Sequence, residues 1–184
     1  ACYEEGKRCA EALCYLYRQA YNVPVRVARI FNTYGPRMPL DDGRVIATFV
    51  CQALRNQPLT VHGDGRQTRS FCYIDDLIDG ILMLMNPAHP CHGPVNLGNP
   101  VEVRVMELAE RIVALSGSRS RIVRRPLPQD DPPRRLPDIA LARSTLGWQP
   151  RVDLDTGLVR TITDFDERLS RSETPAAALA TWRG

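Results

Sequence analysis

The residues from Val25 to Phe31 set the strongest limit on what this chain can fold into. They form a short, unbroken run rich in β-branched side chains, the pattern of a strand buried on both faces of a parallel sheet. Parallel strands need a long crossover, usually a helix, and helical repeats stand on both sides of the run. Before it, residues 4–21 put Cys9, Ala10, Leu13, Cys14, Leu16, Tyr17 and Ala20 on one face, and Asn22 and Pro24 close the repeat. After it, Arg44 to Asn56 is apolar at Val45, Ile46, Phe49, Val50, Ala53 and Leu54. Between the two lies the polar stretch Asn32-Thr33-Tyr34-Gly35-Pro36-Arg37. Loops at the carboxyl ends of parallel strands are where open α/β sheets place ligands.

The alternation continues. Leu59–His62 reads as a strand leading into the turn Gly63-Asp64-Gly65, and Ser70–Ile74 reads as another. Asp75 is the expected N-cap of a helix carrying Leu77, Ile78, Ile81, Leu82, Leu84 and Met85. Val95–Gly98 resembles a strand with its exit turn, 104–116 a helix and Arg121–Arg125 a short strand. Helices are expected over Asp138–Leu146 and Asp155–Leu169. The Ala- and Ser-rich tail from Ser170 is expected to fray. The fold class is α/β, with residues 1–169 as one domain.

Composition narrows the functional classes. At 184 residues, 43% hydrophobic and 24% charged, the chain has the make-up of a globular domain. A net charge of only +3 argues against a dedicated nucleic-acid binder. The local series Arg119, Arg121, Arg124 and Arg125 lacks interleaved aromatics and is followed by Asp130 and Asp131, so it reads as a solvated or substrate-rim face. No apolar run reaches the roughly 20 residues of a membrane span, and no signal peptide is expected. The six cysteines show no C-x-x-C spacing and suit small buried hydrophobes in a reducing compartment. His89-Pro90-Cys91-His92 is the nearest approach to a metal cluster, but it lacks a second ligand pair, and no metal is expected.

Tyr3 and Lys7 carry the clearest chemical possibility. Four residues apart on a helix, they share a face. An ammonium that close to a phenol favours phenolate, which makes Tyr3 a candidate base for a sugar or alcohol hydroxyl. Alone the pattern is weak, and an exposed Lys beside a half-buried Tyr is the more ordinary account of it.

The order of the later blocks is more specific. Tyr3…Lys7 is followed by Arg29-Ile30-Phe31-Asn32-Thr33-Tyr34-Gly35-Pro36-Arg37 and Asp42-Gly43-Arg44. Then come Leu59-Thr60-Val61-His62-Gly63-Asp64-Gly65-Arg66-Gln67-Thr68-Arg69-Ser70-Phe71 and Asn96-Leu97-Gly98-Asn99-Pro100. Gln129-Asp130-Asp131-Pro132, Arg135, Pro137-Asp138-Ile139 and Leu146-Gly147-Trp148-Gln149-Pro150 complete the series. Over residues 1–169 it resembles the extended short-chain dehydrogenases/reductases acting on nucleotide sugars, the NAD-dependent epimerase/dehydratase family. Within them it is most similar to the UDP-glucuronate decarboxylase (UDP-xylose synthase) branch. The resemblance implies the C-terminal part of a Rossmann-like fold with a small substrate-binding α/β subdomain. It also implies an earlier segment with a glycine-rich dinucleotide fingerprint and a catalytic Thr/Ser and Glu. The one G-x-G here, Gly63-Asp64-Gly65, has Thr68 in place of a third glycine, so the 184 residues alone are expected to be inactive.

The resemblance further implies tightly held NAD, a UDP-sugar substrate, a cytoplasmic homodimer, and decarboxylation through a 4-keto sugar, whose ketone makes the C6 carboxylate labile without a metal. A 4,6-dehydratase, a 4-epimerase or a non-catalytic nucleotide-sugar binder are the alternatives. Tyr3 and Lys7 become the catalytic and cofactor-binding pair. Phe31 falls where the nicotinamide pocket is lined, or else in sheet core. Asn32 falls on the substrate near the diphosphate, or else in a turn. Arg44 is matched to the sugar carboxylate or to proton transfer, or else is a solvated helix-start residue. Arg69 and Arg135, with Arg134 as the alternative to the latter, match diphosphate ligands, for which a guanidinium fork is suited. Val61 and His62 fall where uracil meets backbone groups and a ring, and His62 stands where an aromatic is usual.

Overall fold

A computed structural model describes residues 2–86, 88, 93–126 and 134–173. In chain order its elements are α1 (Cys2–Tyr21), β1 (Ala28–Ile30), β2 (Thr33–Tyr34), α2 (Val45–Leu54), β3 (Leu59–His62), β4 (Thr68–Ser70), β5 (Cys72–Tyr73), α3 (Ile74–Met85), β6 (Val95–Leu97), β7 (Glu102–Arg104), α4 (Val105–Ser116), β8 (Ile122–Arg125), β9 (Arg134–Arg135), α5 (Ala140–Leu146) and α6 (Leu154–Glu173). The α/β class read from the sequence holds. The chain divides into two compact units, through which it passes alternately: Ala1–Thr33, Ser70–Glu102 and Arg135–Arg151 in the first, and Tyr34–Arg69, Val103–Arg134 and Val152–Gly184 in the second.

In the first unit β1 and β6 pair in parallel, with Ala28 opposite Val95, Arg29 opposite Asn96 and Ile30 opposite Leu97. α3 packs on both strands and α5 on β6. The core gathers Cys72, Leu77, Leu84, Val95, Leu97, Ile139, Ala142, Leu146 and Trp148. Trp148 anchors it: its indole N–H donates to the Asp76 carbonyl at 2.8 Å, so a large apolar ring is buried with its polar group satisfied. The expected strand is shorter than its apolar run and is not buried on both faces, since Ile30 is 57% exposed. The neighbouring α1 offers charge rather than apolar cover. Glu11 grips Arg29 through both carboxylate oxygens at 2.6 Å, and α1 contains no buried residue.

In the second unit β3 and β8 pair in parallel, from Leu59 opposite Ile122 to His62 opposite Arg125, with α4 in the crossover between them. α2, α4 and α6 pack on one another. Their apolar stripes bury Ile46, Phe49, Val50, Leu108, Ile112, Leu158 and Phe165 with Leu59 and Val61 of β3.

Several boundaries differ from expectation. The stretch Ser70–Ile74 is divided, with β4 ending at Ser70, β5 holding Cys72–Tyr73, and Ile74 already helical. The N-cap of α3 is therefore Tyr73, which makes no side-chain cap bond, while Asp75 lies in the first turn, where a carboxylate favours the helix dipole. α6 continues to Glu173 through the expected frayed start of the tail, carried by the i,i+4 ion pairs Asp164–Arg168 and Glu167–Arg171. The His89-Pro90-Cys91-His92 loop, the Gln129-Asp130-Asp131-Pro132 block and residues 174–184 lie outside the described residues.

The cysteines split by environment. Cys51 and Cys72 are buried, as expected, but Cys2 and Cys9 are exposed and Cys14 is intermediate. Burial raises the Cys51 thiol pKa and pushes that of Cys72 up to about 12, which withholds the thiolate that reacts. Brief maleimide treatment of the folded chain is expected to label Cys2 and Cys9, and to label Cys51 and Cys72 only after addition of urea. Peptide mass spectrometry reads the outcome directly.

Candidate functional site

The residues singled out from the sequence fall in both units: Tyr3, Lys7, Phe31, Asn32 and Arg135 in the first, and Arg44, Val61, His62 and Arg69 in the second. At the head of α1, Tyr3 and Lys7 come together as the helical spacing requires. Lys7 Nζ lies 5.4 Å from the Tyr3 ring centroid, a cation–π contact, and the tyrosine is 76% exposed.

Phe31 and Asn32 leave the carboxyl end of β1. Phe31 N–H donates to the Leu97 carbonyl at 3.0 Å, and the Asn32 carbonyl accepts from Cys72 N–H at 2.9 Å. These bonds aim the loop by its backbone. Gly98 makes room for it: a Cβ there would stand 2.7 Å from Phe31 Cβ and 3.0 Å from Pro137 Cγ. Phe31 is thus wedged into sheet packing while staying half-buried. Arg135 is exposed, and its carbonyl accepts from the Ser70 hydroxyl at 3.4 Å.

Arg69 is only 8% exposed, and its Nη1 donates to the Thr68 carbonyl at 2.8 Å. Val61 is fully buried, so it can meet a ligand through its backbone alone. His62 is exposed at the end of β3, where its Nδ1 meets the Pro126 carbonyl at 3.0 Å and its own carbonyl accepts from Gln67 Nε2 at 2.7 Å. The turn that follows serves packing rather than phosphate. Gly65, at φ +77°, would place a Cβ 2.9 Å from Met106 Cβ, and backbone bonds from Val105 to Gln67 and from Met106 to Gly65, both 3.1 Å, staple the segment to the start of α4.

Arg44 shows a partner that the sequence reading missed. Its Nε and Nη2 both reach the Asp42 carboxylate, the latter at 2.8 Å, and its backbone N–H reaches Asp42 Oδ1 at 3.3 Å. The Asp42-x-Arg44 spacing was the available signal. The guanidinium lowers the Asp42 pKa below its ordinary value, and the carboxylate raises that of Arg44. A carboxylate with a lowered folded-state pKa contributes stability above its unfolded value, and loses it as pH falls through the folded value. Asp42→Asn is therefore expected to destabilise the fold at neutral pH by about 0.2–1 kcal/mol, the range for an exposed ion pair, seen as a lower urea midpoint. The gap from wild type should close in acid, as a pH series of urea titrations will show.

Comparisons with known proteins place the chain in a family. The family model described as NAD dependent epimerase/dehydratase family matches residues 1–98. UDP-glucuronic acid decarboxylase 2 of Arabidopsis thaliana is 50% identical over 183 residues, covering 98% of this chain and 41% of that protein. UDP-glucuronic acid decarboxylase 1 of Danio rerio is 52% identical over 169 residues, covering 92% and 40%. The chain thus spans less than half the length of these curated relatives. Among solved structures, the UDP-glucuronic acid 4-epimerase of Bacillus cereus, in complex with UDP-glucuronic acid and NAD, superposes with a TM-score of 0.78 at 28% identity, covering 86% of this chain and 50% of that one. The UDP-glucose 4-epimerase of Thermotoga maritima, with UDP-glucose, gives a TM-score of 0.84 at 27% identity, covering 89% and 52%. With the Tyr–Lys pair at the head of α1 and the ordered blocks behind it, the match across more than half its length makes this chain a member of the NAD-dependent epimerase/dehydratase family.

Proposed function

We propose that this chain is the C-terminal, UDP-sugar-binding portion of an NAD-dependent UDP-glucuronate decarboxylase, which converts UDP-glucuronate to UDP-xylose and CO2 through a 4-keto sugar. The observation that carries the reading is the identity of about half of all residues with UDP-glucuronic acid decarboxylases, sustained over nearly the whole chain.

Tyr3 and Lys7 fit the catalytic side of an NAD site, because a phenol and an ammonium stand one helical turn apart on an exposed face. Gly65 of the Gly63–Gly65 turn does not fit the cofactor's diphosphate, since the space beside it is filled by Met106 and Val61. In this reading the diphosphate cradle belongs to sequence outside these 184 residues, which alone are inactive. NAD, when bound, supplies the reversible hydride acceptor. As a phenolate, Tyr3 takes the proton from the sugar C4 hydroxyl; Lys7 stabilises that phenolate before the transfer and would hold the nicotinamide ribose. Phe31 lines the nicotinamide side and Asn32 orients the substrate near its diphosphate.

Arg69 and Arg135 bind the diphosphate, Arg69 from a buried position that limits its motion. Val61 and His62 receive the uracil. Arg44 faces the sugar carboxylate, and Asp42 sets the direction of its guanidinium. The uncovered apolar face of α1, with Leu13, Leu16, Tyr17 and Tyr21 exposed, supports homodimer formation by the complete protein. No helix among the described residues is long and apolar enough to cross a membrane; the cytoplasmic location is part of the proposal.

The test is an assay of the complete protein on UDP-glucuronate with release of CO2 as the readout. A product epimerised at C4 and still carboxylated would overturn the decarboxylase reading in favour of a 4-epimerase.

A further inference from the structure

We infer that Asp164 and Arg168 of α6 are positioning residues for the sugar end of the substrate. Together they clamp the backbone at Arg37 and Met38, and so set the course of the segment that leads to Arg44. This rests on the reading above, in which Arg44 faces the sugar carboxylate of UDP-glucuronate.

The clamp is built from complementary bonds. Asp164 Oδ2 accepts from the Arg37 backbone N–H at 3.0 Å, and Arg168 Nη1 donates to the Met38 carbonyl at 2.8 Å. The two side chains lie one helical turn apart and pair with each other at 3.0 Å. The Arg168 guanidinium also sits 5.6 Å from the ring centroid of Phe165, which is fully buried and gives it a fixed surface. A donor and an acceptor on consecutive residues are thus held by side chains 127 and 130 residues away in the chain.

Arg37 is where such a hold is needed. Three non-glycine residues among those described have positive φ: Asn22, Asn56 and Arg37, the last at +66°. Asparagine tolerates that conformation, whereas a long side chain adopts it only where its surroundings impose it. The bond to Asp164 is the imposing contact. From there the segment is tied step by step. The Tyr34 hydroxyl donates to the Leu154 carbonyl at 3.1 Å, and Cys51 Sγ donates to the Leu40 carbonyl at 3.2 Å. Asp42 N–H donates to the Pro39 carbonyl at 3.3 Å, and the Asp42 carboxylate takes the Arg44 guanidinium. All of these residues belong to the second unit. The direction of Arg44 therefore depends on a series of contacts that begins on α6, and a misplacement of about 1 Å by a distant change can cost about 10²-fold in rate.

The experiment measures kcat/KM for CO2 release from UDP-glucuronate by the complete protein, with UDP and UDP-glucose as competing inhibitors. Wild type is compared with Asp164→Ala, Asp164→Asn and Arg168→Met. Asp164→Ala and Arg168→Met are expected to lose about 10- to 100-fold in kcat/KM. Inhibition by UDP and by UDP-glucose should stay within about twofold of wild type, since neither ligand presents a carboxylate to Arg44. Asp164→Asn keeps an oxygen that accepts from the Arg37 N–H, and should stay within about threefold of wild type. Should Asp164→Ala fail to fold, Arg168→Met, which keeps an apolar stem beside Phe165, carries the same expectation. Near-normal kcat/KM in the folded variants, a loss shared equally by both inhibitors, or Asp164→Asn as impaired as Asp164→Ala overturns the inference and leaves the UDP-glucuronate reading standing. A wild-type protein that releases no CO2 from UDP-glucuronate overturns both.

Discussion

Trp148→Ala is expected to cost the first unit about 3–5 kcal/mol, the usual range for emptying a buried large aromatic site. The residue is 3% exposed and packs in the cluster with Leu77, Val95, Leu97 and Leu146. Its loss also leaves the Asp76 carbonyl without the indole N–H that reaches it at 2.8 Å. A companion substitution perturbs the same ring by overpacking instead of a cavity. Gly80→Ala adds one methyl group, whose Cβ would stand 2.9 Å from both Cε2 and Nε1 of Trp148 and 3.1 Å from Leu97 Cδ2. In the interior of an exposed helix the same change stabilises, by up to about 1 kcal/mol. Here the overpacking cost of about 1–3 kcal/mol should win, so the sign reverses. Urea titration followed by circular dichroism measures both. A stabilised Gly80→Ala variant would mean that the ring moves aside without cost, and that the indole bond holds it only loosely.

The same residues show what a sequence can and cannot disclose. Side-chain period reveals which positions are apolar, and it located α2, α3, α4 and the parallel strands β1, β3, β6 and β8 to within a residue or a few. It does not reveal what covers an apolar face. Val25–Phe31 looked doubly buried, yet Ile30 is exposed, and Arg29 beside it in the strand pairs with Glu11 of α1 rather than packing under carbon. For the same reason α1 reads as a core helix by pattern and buries nothing. Polar pairs across short spacings were visible in principle: Asp42 stands two residues before Arg44, and its grip follows from that closeness. Contacts across long spacings were not visible. No local rule brings Pro126 to His62, or Trp148 to Gly80, since these depend on the β3–β8 register and on the packing of α3 in its unit. The ordered blocks therefore singled out candidate site residues, while the partners that orient them came from tertiary structure.

Tyr3→Phe in the complete protein is expected to lower the rate of CO2 release from UDP-glucuronate by about 10²–10⁴-fold, the range for removing a group that transfers a proton in the transition state. That is about 3–5 kcal/mol of barrier. The substitution isolates the hydroxyl. Phenylalanine keeps the ring, the helix position and the surface on which the Lys7 ammonium sits 5.4 Å from the centroid. The tyrosine is 76% exposed, so the change removes no core contact and fills no cavity. Affinity for UDP, measured by calorimetry, should stay within about twofold of wild type, because an interaction made only in the transition state is lost from kcat and not from ground-state binding. If the variant instead bound UDP poorly, Tyr3 would be a substrate-positioning residue. If its rate stayed within about threefold of wild type, the proton would have to leave the sugar by another group, and the Tyr–Lys pair would revert to the solvated pair that its spacing alone allows.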